Sequence, residues 1–83
     1  MFFVYILRSI KKGNYYVGST HDLDKRFKEH NAGKTKSTKG LKPLEIVYTE
    51  SCSTNTDARK RESYIKRRKS RRYIELLIKQ RSL

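Results

Sequence analysis

The chain has few carboxylates, one cysteine and no apolar run long enough to span a membrane. The single cysteine, Cys52, cannot close an internal disulfide and has no Cys or His at metal-ligand spacing, so it reads as a small, partly buried residue without a chemical role. The segment Met1 to Leu7 is too short for a signal-peptide hydrophobic region and has no basic leader, which points to a cytoplasmic protein. There is no internal repeat, and the only biased stretch is the basic run from Lys66 to Arg72. Eight acidic residues stand against 21 Lys and Arg, a formal net charge of +13. That density repels itself in a compact state and calls for a polyanionic partner, with nucleic acid the leading candidate. The excess is uneven: 11 of the basic residues but only 2 of the acidic ones lie from Arg59 onward, marking the C-terminal third as the phosphate-facing surface. A membrane partner is not expected, because it would need a basic helix with a broad apolar face free to insert, and here those faces are required inside.

What is present suffices for one small domain, residues 1–83. Hydrophobic residues make up 35% of the chain, with six tyrosines and three phenylalanines, and this argues against disorder. Phe2 to Arg8 and Tyr15 to Thr20 are aromatic and β-branched runs separated by Lys11-Lys12-Gly13-Asn14, the signature of a hairpin. From Asp22 the period becomes helical, with Leu23 and Phe27 four apart, Thr20 or Asp22 available as a cap, and Asn31-Ala32-Gly33 as a stop about three turns later. Lys34 to Pro43 is polar and lysine-rich and reads as a basic loop, the kind of segment that often carries function. Leu44 to Glu50 alternates Leu44, Ile46 and Tyr48 against Glu45, Val47 and Thr49, which suits a third strand, and Ser51 to Thr56 is a capping region. A second helix over 56–69 presents Ala58 and Ile65, and a third, capped by Ser70, presents Tyr73, Ile74, Leu77 and Ile78. The order ββαβαα predicts an α+β fold: a small three-stranded antiparallel sheet flanked by helices.

Three groups of residues carry chemistry. At about 100° per residue, Glu62 falls about 40° from Ala58, on the inward face of the second helix. A carboxylate there requires a cation, either a neighbouring arginine or a metal. Arg26 and His30, spaced i and i+4, border the Leu23 and Phe27 stripe on one side of the first helix. They are either a solvated pair or a phosphate clamp with an acid–base partner. Tyr5, Tyr15 and Tyr16 sit where the hairpin strands face one another, and Gly18 inside a strand marks a close approach of backbone or ligand.

Taken in order, these residues resemble the GIY-YIG nucleases over nearly the whole chain. Val4-Tyr5 stands for the end of the first motif, ten residues follow, and Tyr16-Val17-Gly18 stands for the second. Arg26, then His30, then the separate helical carboxylate Glu62 complete the pattern. Phe3 stands where the family name has glycine, and no asparagine follows Glu62, the corresponding region holding Lys66, Lys69 and Ser70.

The resemblance implies the GIY-YIG endonuclease fold and a metal-dependent endonuclease that hydrolyses phosphodiesters in DNA during repair, recombination or processing. It further implies one Mg²⁺ or Mn²⁺ ion with Glu62 as its protein ligand, Arg26 as stabiliser of the phosphorane-like state, Tyr5 or Tyr16 as base or water positioner with Tyr16 favoured, and His30 as proton mover. Since a phenol near its reference pKa of about 10 is a poor base at neutral pH, nearby cations must assist it. Lys34, Lys36, Lys39 and Lys42 in the loop, with Lys66, Arg67, Arg68, Lys69, Arg71 and Arg72 beyond Glu62, are expected to hold the nucleic-acid backbone. A homodimer or a partner protein would allow both strands to be cut. The alternative is a nucleic-acid-binding module that keeps the scaffold without efficient turnover.

Overall fold

Gly13 turns the chain back on itself in the left-handed region, at φ 78°, and the turn is closed by Ser9 N–H donating to Asn14 O and Gly13 N–H donating to Ser9 O, both at 2.8 Å. In a computed structural model that describes residues 1–68 and 70–81, this turn joins β1 (Phe2–Ser9) to β2 (Tyr15–Thr20). There follow α1 (Leu23–Asn31), a 3₁₀ turn at Lys39–Leu41, β3 (Leu44–Cys52), α2 (Asn55–Arg68) and α3 (Arg71–Arg81). The sheet is antiparallel in the order β2-β1-β3, so the expected α+β arrangement in the order ββαβαα is the one observed.

Each helix begins at an oxygen supplied by the sequence. Asp22 rather than Thr20 caps α1, accepting from Lys25 N–H at 3.1 Å, while Thr20 Oγ1 accepts from Asp22 N–H. Thr54 Oγ1 receives Asp57 N–H at 3.1 Å, and Ser70 Oγ receives Tyr73 N–H at the same distance. The second helix starts one residue earlier than its pattern suggests, and the third strand runs two residues beyond Glu50 to Cys52.

Because β1 is central, helices cover it from both sides and both of its faces are buried. Val4 and Ile6 join Val17, Tyr48, Ala58, Ile65 and Leu77 under α2 and α3, whereas Tyr5 and Leu7 join Leu44 on the opposite face, with Leu23 and Phe27 of α1 packed against them. The simple alternation of Leu44, Ile46 and Tyr48 on one face of β3 does not hold. Ile6 pairs with Tyr48 but Leu7 pairs with Ile46, so Val47 is an extra residue in a bulge. A single inserted residue exchanges the two faces of a strand, which sends Leu44 to one core and Tyr48 to the other.

The lysine-rich stretch is not a purely solvated loop. Its Thr38 is fully buried, and Leu41 packs beside Leu44. The far end of α1 is fastened to β3 by Asn31, whose Oδ1 accepts from Leu44 N–H at 2.7 Å and whose Nδ2 donates to Leu44 O at 3.1 Å. Asn31→Ala leaves both of those backbone groups without a partner and is expected to destabilise the fold by about 2–4 kcal/mol. A urea titration checks this through its midpoint, and an unchanged midpoint would show that water replaces the amide.

Candidate active site

The register of the hairpin places Tyr5 directly opposite Gly18, and Leu7 opposite Tyr16, so both phenols lie on the face that α1 covers. A side chain at position 18 has no room. A Cβ there would stand 2.5 Å from Tyr5 Oη and 2.6 Å from its Cζ, so the glycine is the floor on which the Tyr5 ring rests. Tyr5 is 1% exposed and Tyr16 half-buried, with their ring centroids 6.5 Å apart.

α1 brings His30 and Arg26 down onto this phenol pair. His30 Nε2 lies 2.9 Å from Tyr5 Oη, and Nδ1 lies 2.7 Å from Thr38 Oγ1 of the lysine-rich loop. The imidazole is fully buried, and its ring also meets Tyr16 at a centroid distance of 5.1 Å. Burial pushes the Tyr5 phenol up from its usual value, against a hydrogen bond from the Arg26 guanidinium that pulls it down. The phenol is therefore protonated at neutral pH. Burial, followed by the charge of Arg26, holds His30 below its ordinary 6.5, so the imidazole is neutral. A neutral imidazole donates through one nitrogen and accepts through the other, and in the tautomer with Nδ1–H donating to Thr38 Oγ1 it is Nε2 that accepts from Tyr5 O–H. Arg26, raised chiefly by its bond to Tyr5, also pairs with Glu29 at 3.3 Å.

A depressed histidine makes the domain acid-sensitive. Above about 6.5 the folded and unfolded chains both hold neutral His30, and its full contribution to stability is present. As pH falls through the depressed native value, protons bind the unfolded chain more readily, and that contribution is lost. The melting temperature is expected to fall between pH 7 and pH 5 in the wild type and less steeply in His30→Gln.

α2 supplies the carboxylate. Glu62 Oε1 accepts from Ser19 Oγ at 2.6 Å, and Oε2 accepts from Lys66 Nζ at 2.6 Å, with the side chain 21% exposed. Its cation is thus the lysine one turn on, not an arginine. Lys66 also lies 5.8 Å from the centre of the Tyr16 ring, which ties the carboxylate flank of α2 to the phenols at the free edge of β2. The charge of Glu62 reaches Tyr5, where it opposes ionisation of the phenol.

The structure therefore gathers Tyr5, Tyr16, Arg26, His30 and Glu62 from four elements around one edge of the sheet. Apart from Lys66, which is seated on Glu62, the remaining sequence candidates lie outside this cluster. Lys34, Lys36, Lys39 and Lys42 are exposed on the loop behind α1, and Lys66, Arg67, Arg68, Arg71 and Arg72 are exposed beyond Glu62. Arg71 is partly engaged, donating to Gly13 O and Glu75 and lying 4.9 Å from the centre of the Tyr15 ring. Lys69 lies outside the described residues. Two site residues escaped the sequence reading. Ser19 was legible in principle, since strand alternation sets it with Val17 on the face that meets α2, whereas nothing in a polar loop distinguishes Thr38.

A divalent ion at Glu62 fits these residues. Among the described residues no group of three or more His, Cys, Asp and Glu side chains converges, so an all-protein cage is absent. What exists is a partly exposed carboxylate, oriented by a hydroxyl and already holding a cation, the ammonium of Lys66. A hard cation that keeps most of its waters needs no more than one carboxylate from the protein.

The sequence profile of the GIY-YIG catalytic domain matches residues 1–74. The UPF0213 protein YazA of Bacillus subtilis is 43% identical over 77 residues, covering 88% of this chain and 77% of its own length. A UPF0213 protein of Clostridium perfringens is 38% identical over 78 residues, covering 93% and 83%. The solution NMR structure of a UPF0213 protein from Bacillus halodurans superposes with a TM-score of 0.59 at 38% identity, covering 96% of this chain and 85% of that one. Among the described residues no helix is long and apolar enough to cross a membrane.

Proposed function

Because this chain belongs to the GIY-YIG catalytic-domain family, a superfamily of nucleases, we propose that residues 1–83 act as one metal-dependent endonuclease domain cutting phosphodiester bonds in DNA. The observation that carries this reading is the buried contact of Tyr5 with His30, backed by Thr38 and floored by Gly18. A phenol is an unsuitable base while its proton has nowhere to go. Here a neutral imidazole lies 2.9 Å away, so as Tyr5 Oη takes a proton from the attacking water its own proton passes to Nε2, and the phenol relays the proton without standing as a free phenolate. This arrangement favours Tyr5 over Tyr16 as the base and leaves Tyr16, half-buried at the edge of β2, to orient the water or a phosphate oxygen.

Arg26, beside both phenols and paired with Glu29, would serve a second time by donating through its fork to the phosphoryl oxygens on which charge accumulates. Glu62, oriented by Ser19, would hold one Mg²⁺ or Mn²⁺. When bound, that ion supplies charge neutralisation at the phosphate and at the departing 3′ oxygen. An ion held at Oε2 would take the place of the Lys66 ammonium, which lies close to the Tyr16 ring. The exposed lysines of the loop and the arginines of α2 and α3 bind backbone phosphates on either side, giving affinity with little sequence preference.

The proposal is tested by cutting labelled single-stranded, duplex and branched DNA in Mg²⁺, Mn²⁺ or EDTA with the wild type and with Tyr5→Phe and Tyr16→Phe. Metal-dependent cleavage lost more completely in Tyr5→Phe than in Tyr16→Phe is expected. The rate should also fall as pH drops through the depressed His30 value, because a protonated imidazole cannot receive the phenol proton. The ammonium seated on Glu62 favours one second reading, a nucleic-acid-binding module without efficient turnover. Salt-sensitive binding that persists in EDTA, with no cleavage in any metal, would select it.

A further inference from the structure

α2 has two unlike flanks. At about 100° per residue Tyr64 lies about 160° around the helix from Glu62, and the solvent-facing arc between them carries Lys60 and Arg67. Tyr64 is 42% exposed and is the one exposed residue among the described tyrosines and phenylalanines. Its ring meets Tyr73 edge-on, with centroids 6.2 Å apart at 73°, and is framed by two guanidinium groups, Arg61 at 5.5 Å and Arg68 at 6.0 Å from its centre. Arg61 is held by Glu50 at 2.9 Å, and Arg68 is held over Tyr73 at 4.7 Å. Tyr64 is thus a ring mounted on a fixed cationic frame. Lys60, Arg67 and Arg68 form no ion pair with a described carboxylate, so this flank carries positive charge that the fold itself does not neutralise.

We propose that Tyr64, framed by Arg61 and Arg68 and backed by Tyr73, is a stacking site for an unpaired base of single-stranded nucleic acid whose phosphates run over Arg67 and Lys60 toward Glu62. An exposed aromatic amid unpaired cations matches the two chemistries such a strand alternates, a π face and a phosphate. A duplex offers only the phosphates, since its bases are already stacked. The inference extends the nuclease reading by naming the substrate class, but it concerns binding and stands without turnover.

Anisotropy of labelled oligothymidylate and of a labelled duplex, both in EDTA, tests it on the full chain with Tyr64→Ala, Tyr64→Phe and Tyr64→Leu. Tyr64→Ala is expected to weaken single-strand binding roughly five- to a hundredfold while leaving duplex affinity unchanged. Tyr64→Phe should bind as the wild type does, and Tyr64→Leu, which restores bulk without a π face, should behave like Tyr64→Ala. Equal losses on both substrates, no loss on either, or full binding by Tyr64→Leu would overturn the stacking site. Displacement by polyglutamate of the wild type alone, with oligothymidylate displacing both forms alike, would assign Tyr64 to an acidic protein and overturn it too. If wild type binds oligothymidylate through Tyr64 yet cuts nothing in any metal, the nuclease reading fails and the stacking site remains.

Discussion

Glu62→Gln is expected to lower metal-dependent cleavage by about a thousandfold, equivalent to about 4 kcal/mol of transition-state stabilisation, while leaving the fold intact. Glutamine keeps an oxygen for the Ser19 hydroxyl, so the orienting hydrogen bond survives. It removes the charge that attracts a divalent ion, and among the described residues no group of three or more His, Cys, Asp and Glu side chains converges to replace it. The loss of the Lys66 pair contributes little to stability, since that lysine is 49% exposed and such pairs are worth only a few tenths of a kcal/mol. Cleavage under single-turnover conditions and Mn²⁺ binding followed by electron paramagnetic resonance should fall together, with the melting temperature close to wild type. Undiminished cleavage in Glu62→Gln would remove the carboxylate from the mechanism. Unchanged Mn²⁺ binding with lost cleavage would make Glu62 a catalytic group that is not the metal ligand.

The second large effect is expected from the smallest substitution. Gly18→Ala introduces a methyl 2.5 Å from Tyr5 Oη, and the phenol cannot give way cheaply. It is held by His30, which is held by Thr38, and its ring is 1% exposed under α1. Overpacking of this kind costs about 1–3 kcal/mol of stability, and a displacement of the reacting oxygen by about 1 Å lowers the rate by about a hundredfold. Gly13→Ala is the control. It strains the turn at φ 78°, where a Cβ would meet neither Tyr5 nor Tyr16, so it should lower the melting temperature without lowering the cleavage rate of the folded fraction. If Gly18→Ala melts early but cuts at the wild-type rate, Tyr5 is not the reacting phenol.

Much of the architecture was open to reading because it depends on local rules. Strand runs with period two, a glycine turn between them, helical stripes at Leu23 and Phe27 and at Ala58 and Ile65, and the caps at Asp22 and Ser70 all arise within a few residues of chain. The inward position of Glu62 follows from the same arithmetic, as does the need for a cation beside it. What failed was the alternation of β3, where one bulged residue exchanged the faces, because the extra residue is defined by pairing with β1 and has no mark of its own.

The sequence by itself determined the order of elements, the excess of positive charge on the last third and the identity of the five residues that now stand together. Only the tertiary structure decided what those residues do to one another. That Tyr5 rather than Tyr16 hydrogen-bonds His30 depends on where α1 sets the imidazole over the face that carries both phenols. That His30 is neutral depends on its burial and on the charge of Arg26, and its Nδ1 finds a partner in Thr38, brought from a loop whose composition suggested only solvent. That Glu62 is held by Ser19 as well as by Lys66 one turn on depends on α2 packing against β2 at the edge of the sheet. Composition and periodicity fix which residues can be inside or outside. Protonation and partnership are set by burial and by distances of about 3 Å between segments far apart in the chain, which exist only once the sheet has paired and the helices have docked.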